Sequence, residues 1–167
     1  QQVLLTATLP PLQESQLCKT MHMPGATVLH AEMTQRLGTR YAVVRCQQHA
    51  ELRAMAVRLT RTLMDRASTA KGIIYCRSKA LCEELADALG CSAYYANMEA
   101  RRKEVLETWQ QSGSLIVSTS ALGVGVDIPR VLFTLHIERP WSMVDFVQVS
   151  GRMRAEGNSP IVLKQLQ

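Results

Sequence analysis

The sequence predicts an α/β fold: a mainly parallel sheet flanked by helices on both faces. Three observations carry that expectation. Short apolar runs alternate with amphipathic stretches of about ten to fifteen residues, the pattern of βαβ units. Several of the short runs are apolar at every position, as strands covered on both faces must be. No internal repeat or low-complexity segment interrupts the alternation.

Taken in order, Val3–Thr8 reads as a buried strand and Pro11–Met21 as a helix whose proline occupies the first turn, where its missing N–H costs nothing. Ala26–His30 reads as a second strand. Glu32–Arg40 is polar and irregular, contains Gly38, and is the best linker candidate. The expected division is therefore residues 1–38 and residues 39–167. The second series opens with a strand at Tyr41–Cys46. A helix follows over Ala50–Met64, with Leu52, Met55, Ala56, Leu59 and Leu63 at helical spacing. Gly72–Cys76 is a strand of the fully buried kind. Ser78 can cap the helix Lys79–Leu89, and Gly90 closes it where a left-handed residue is wanted. Ser92–Tyr95 is a short strand, Ala100–Gln111 a helix and Ser114–Ser118 a strand. Leu132–His136, Ser142–Val149 and Ile161–Lys164 complete the series as strand, helix and strand.

Composition narrows the class. The 167 residues are 47% hydrophobic and 20% charged, the balance of a globular domain rather than a disordered tail. No apolar run reaches the roughly 18 residues a bilayer span needs, so no membrane partner is expected. The chain starts at Gln1, directly on a strand-like run and without a signal segment, and reads as an excised piece of a longer protein. A formal charge of +5 leans weakly toward polyanionic partners, although a solvated basic surface gives the same count. Residues 1–40 carry three basic and two acidic groups, and residues 41–167 carry sixteen and twelve. The five cysteines (18, 46, 76, 82 and 91) are odd in number and lack a C-x-x-C pair, which points to reduced thiols in an intracellular compartment and to no metal site. Cys76, ending an apolar run, fits a small core residue.

In parallel α/β sheets ligands sit beyond the carboxyl ends of the strands, so the loops there are the candidates for function. After the strand ending at Ser118 come Thr119, Ser120, Gly123, Gly125 and Asp127. Glycines let a backbone approach phosphate, hydroxyls donate to it, and an aspartate accepts from a ribose hydroxyl or holds an arginine. The same glycines also suit an ordinary tight turn. Farther on, Gln148, Arg152 and Arg154 lie at a helix end followed by Gly157. Arginine is matched to phosphate oxygens and to the charge of phosphoryl transfer, and equally to the negative end of a helix dipole.

Together these stretches resemble the superfamily 2 helicases, most closely the RecQ branch. Leu5-Thr6-Ala7-Thr8 resembles motif III, and Gly72 to Ser78 resembles motif IV. Tyr94-Tyr95-Ala96-Asn97-Met98 is similar to the family's tyrosine-histidine-alanine-glycine segment. Val117 to Asp127 is similar to motif V, and Gln148 to Gly157 to motif VI. The resemblance implies a RecA-like fold, with the tail of a first motor domain in 1–38 and the second motor domain in 39–167. It implies DNA as the partner, as a single strand or a strand–duplex junction, held through Arg77, Ser78, Lys79, Ser118 and Thr119. It assigns Thr6, Ala7 and Thr8 to coupling between nucleotide and strand. ATP with Mg²⁺ is the implied cofactor, met by Gly123, Gly125, Asp127, Gln148 and Arg152, with Gln148, Arg152 and Arg154 as catalytic candidates. A nuclear location follows if the source is eukaryotic.

Two departures qualify this. The sequence contains no G-x-x-x-x-G-K-[ST] loop and no Asp-Glu pair of the Walker B kind, so this segment alone is not expected to hydrolyse ATP. In motif VI, Arg152 stands where the family has its first arginine, but the family's second arginine falls on Ala155, with Arg154 one residue early. One residue turns a side chain by roughly 100° on a helix, so the altered motif leaves two readings open: a working motor, or a binding module that kept the fold after losing turnover.

Overall fold

The computed structural model describes residues 3–6, 9–30, 39–66, 70–98, 100–122, 128, 130–150 and 159–165, the last stretch as backbone alone. The chain divides into two compact units, Gln1–Leu37 and Gly38–Gln167.

Among the described residues the first unit holds one helix, α1 (Pro11–Thr20), which has Pro11 in its first turn as expected and buries none of its residues. Residues 3–6 and 26–30 are not strands. This corrects the two strands expected in this part of the chain. A strand is stable only where neighbours take up its N–H and C=O groups, and none of the six strands of the sheet comes from this unit. Val3, Leu4, Leu5 and Leu29 stand exposed instead. Glu14 and His30 meet at 3.1 Å.

The second unit is an α/β layer structure, as the sequence predicts. Its strands are β1 (Ala42–Cys46), β2 (Lys71–Tyr75), β3 (Ser92–Tyr94), β4 (Leu115–Ser118), β5 (Val131–Ile137) and β6 (Ser159–Gln165). They form one sheet in the order β1-β6-β5-β2-β4-β3, and every pairing is parallel. The helices are α2 (His49–Asp65), α3 (Lys79–Leu89), α4 (Arg101–Gln111) and α5 (Met143–Ser150).

Alternation along β2 sorts the core into two layers. Ile74 joins Val117, Phe133 and Leu135 against Leu52 and Ala56 of α2 and Cys82, Leu85 and Ala86 of α3. Ile73 and Tyr75 turn to the other face, with Ile116, Val131, Trp109 of α4 and Val149 of α5. The uncharged, buried run Gly72–Tyr75 of β2 follows from this double coverage. Gly72 is required by close approach: a Cβ there would lie 2.3 Å from Phe133 Cζ. Lys71, at the start of β2, donates to Trp109 O (2.7 Å) and Gly113 O (2.6 Å), tying the sheet to the end of α4. Burial first, and Arg130 second, lower its pKa.

Helix ends follow the local chemistry. Ser78 is the N-cap of α3 and accepts from Leu81 N at 3.2 Å. Gly90 takes the left-handed conformation (φ 64°), and Cys91 N–H returns to Ala86 O at 3.0 Å. Ser142 caps α5, accepting from Asp145 N at 3.0 Å and donating to Asp145 Oδ2 at 2.7 Å. All five cysteines are unpaired. Cys76 is buried as expected, and burial pushes its thiol up. Among the described residues no helix is long and apolar enough to cross a membrane, and no group of three His, Cys, Asp or Glu side chains could hold a metal ion.

Candidate nucleic-acid interface

Parallel strands end at the same edge of a sheet, so the loops after β2, β3, β4 and β5 share one rim. The last ladder pair of β2 and β4 is Tyr75 with Ser118. Beyond it Cys76 N–H donates to Ser118 O at 2.8 Å, and Thr119 N–H donates to Tyr94 O at 3.1 Å. The ends of β2, β3 and β4 are therefore locked in register, and the residues just beyond them are brought together.

Arg77, Ser78 and Lys79 leave β2 exposed, at the start of α3. Their position gives two cations beside the free N–H groups of a helix N-terminus, a combination suited to anions. Lys79 is held on one side by Glu83 (3.7 Å) and lies 4.8 Å from the centre of the Tyr95 ring. The Tyr95 hydroxyl donates to Glu83 Oε1 at 2.7 Å, and that bond raises its pKa. Arg77 stacks on a residue of the next loop, with its guanidinium carbon 3.9 Å from the centre of the Trp141 ring.

Across the rim, β4 runs into a single 3₁₀ turn at Ser120–Leu122. Thr119 is half-buried, and its Oγ1 lies 3.5 Å from Ala121 N. Ser118 is fully buried and its hydroxyl donates to Thr119 O at 2.7 Å. Of the two hydroxyls expected to meet a strand here, Thr119 has exposed surface and Ser118 does not. Arg102 of α4 braces the turn: its Nε donates to the Tyr94 hydroxyl (2.9 Å) and its Nη2 to Ala121 O (3.3 Å).

Behind the rim an aromatic layer runs inward from α5. His136 stacks on Tyr75 (5.1 Å between centroids) and meets Phe146 edge-on (4.8 Å). Burial lowers the His136 pKa to about 4, so the ring is neutral at pH 7.

Gln148 lies exposed near the end of α5, and Thr6 lies in the first unit. The remaining expected site residues, Ala7, Thr8, Gly123, Gly125, Asp127, Arg152 and Arg154, lie outside the described residues. Arg102 and Trp141 are the additions that the structure makes. Arg102 sits in an Arg-Arg-Lys run with nothing to single it out. Trp141 carried a signal, a tryptophan in the polar turn directly after a buried strand.

Residues 51–156 match the helicase conserved C-terminal domain family. ATP-dependent DNA helicase Q-like 2 of Arabidopsis thaliana is 31% identical over 163 residues, covering 93% of this chain and 23% of that protein. RecQ-like DNA helicase BLM of Xenopus laevis is 34% identical over 96 residues, covering 53% of this chain and 7% of that protein. The chain thus spans less than a quarter of either relative. Among solved structures, Saccharomyces cerevisiae Dbp5 bound to RNA and ADP BeF3 superposes with a TM-score of 0.76 at 16% identity, covering 97% of this chain and 44% of that one. At that identity the superposition speaks for the RecA-like fold alone. The chain belongs to the helicase conserved C-terminal domain family, and the relatives it resembles in sequence are RecQ-type DNA helicases.

Proposed function

We propose that residues 39–167 are the second RecA-like motor domain, and residues 1–38 the tail of the first, of an ATP-dependent helicase of RecQ type. It moves 3′ to 5′ on DNA and couples ATP hydrolysis to strand separation, with a nuclear location if the source is eukaryotic. One observation carries the reading. The ends of β2 and β4 sit side by side, which collects Arg77, Ser78, Lys79 and Thr119 on one rim. Those groups suit the sugar-phosphate backbone of a strand, whatever its base sequence.

ATP with Mg²⁺ is the cofactor, and its main phosphate-binding loop is absent from this sequence. Gly123, Gly125, Asp127, Gln148 and Arg152 contribute from this side, and the exposure of Gln148 fits a side chain that reaches out to a nucleotide. Arg152 and Arg154 serve the transferred phosphoryl group, while Thr6, Ala7 and Thr8 couple its state to the strand. A second reading, a nucleic-acid-binding module without turnover, is favoured by Ala155 in the position of the family's second arginine.

The test joins this chain to a first motor domain bearing an intact phosphate loop and measures DNA-stimulated ATP hydrolysis. Turnover that Arg152→Ala or Arg154→Ala abolishes supports the motor. Background hydrolysis alongside salt-sensitive DNA binding supports the module.

A further inference from the structure

Trp141 is a large apolar side chain with no core to join. It follows β5 in the loop Arg139-Pro140-Trp141-Ser142 and exposes 65% of its surface, whereas the other tryptophan, Trp109, exposes 2%. Its exposure is not that of a side chain swinging free, because the Arg77 guanidinium lies 3.9 Å from its ring centre. Ser142 fixes the loop from the other side by capping α5. The indole is thus a planar surface held at the rim by Arg77, one of the groups assigned above to the phosphates.

We infer that Trp141, stacked with Arg77, is a platform for one base of the bound strand. The inference rests on the proposed strand-binding role of this rim and adds a ligand group, a nucleobase, that the backbone contacts do not address. The chemistry fits. An indole face stacks on any base, so the contact is tolerant of sequence. An arginine over an aromatic ring keeps its N–H edge for phosphate oxygens, so Arg77 can hold the backbone while it orients the indole. The Lys79–Tyr95 pair, 4.8 Å apart between the start of α3 and the residue after β3, repeats the arrangement of cation on ring. Stacking also needs no charge, and this separates the role of Trp141 from that of its neighbours.

The experiment uses the full chain and a dye-labelled oligo(dT). Affinity is read by anisotropy, and tryptophan exposure by acrylamide quenching, with buried Trp109 as the internal reference. The inference expects the oligonucleotide to shield Trp141 from acrylamide. It expects Trp141→Ala to weaken binding by about five- to a hundredfold, Trp141→Phe to recover part of that loss, and neither to change the slope of affinity against salt. Oligonucleotide binding that leaves Trp141 open to quencher, with Trp141→Ala binding as tightly as the parent, overturns the platform and leaves the wider strand-binding reading standing. Shielding by Mg-ATP but not by the oligonucleotide also overturns it, by giving the indole to the nucleotide. If no strand binds, both readings fall together.

Discussion

The two units of this chain use similar residues to different ends. In Gly38–Gln167, apolar strands find parallel neighbours and two helical layers, and Ile73, Ile74, Ile116 and Val117 are wholly buried. In Gln1–Leu37, Leu5 and Leu12 are 93% and 97% exposed, and α1 buries nothing. The apolar run Val3–Leu5 is no less apolar than Ile73–Ile74. What differs is company. A strand's hydrogen bonds and its hydrophobic burial both come from other segments, so the same local pattern gives a sheet in one unit and an exposed, irregular stretch in the other.

This contrast can be pressed by mutation. Trp109→Ala should cost most, about 3–5 kcal/mol, because it empties the layer between α4 and the sheet. Chemical denaturation of the chain measures it, and a loss below 1 kcal/mol would mean that this layer is not a packed core. His136 gives the next largest effect. Its pKa is about 4 in the fold against an ordinary 6.5, so above pH 6.5 both folded and unfolded chains carry it neutral. As pH falls from 6.5 toward 4 only the unfolded chain takes up the proton, and stability falls by up to about 3 kcal/mol. His136→Phe should flatten that part of the pH profile. An unchanged profile would show that burial of this ring does not control its protonation. Leu5→Ser should be the smallest, within about 0.5 kcal/mol, since the side chain is already in water. A loss comparable to a core substitution would erase the distinction between the two units.

The parts legible in the sequence are those with local causes. Ser78 and Gly90 bracket α3 because a hydroxyl cap and a left-handed closing residue act within a turn of the helix. The Gly72–Tyr75 run of β2 was legible because burial on both faces leaves no charged position within it to confuse the pattern. The strands expected at residues 3–6 and 26–30 were misread because nothing within five or six residues records whether a partner strand exists. At the rim the sequence picked out Arg77, Ser78, Lys79 and Thr119, each directly after a strand. It did not separate Ser118, whose hydroxyl turns inward to Thr119 O, from its exposed neighbour. Arg102 was hidden for the same reason: its bonds to Tyr94 and Ala121 join segments 8 and 19 residues away.

The proposal that this rim, rather than general positive charge, grips a nucleic-acid strand makes a quantitative prediction. The most direct measurement is the salt dependence of single-stranded DNA binding for the Arg77→Ala/Lys79→Ala double variant against an Arg58→Ala/Arg61→Ala control. The control removes the same charge from α2, where Arg61 lines a groove with Ser114 and Leu115 at the opposite ends of the strands. The rim variant should bind more weakly, with a slope of log affinity against log salt shallower by about 1.4, and the control should match the parent. Equal losses in the two variants would show that charge alone does the binding and would overturn the assignment of the strand to this rim.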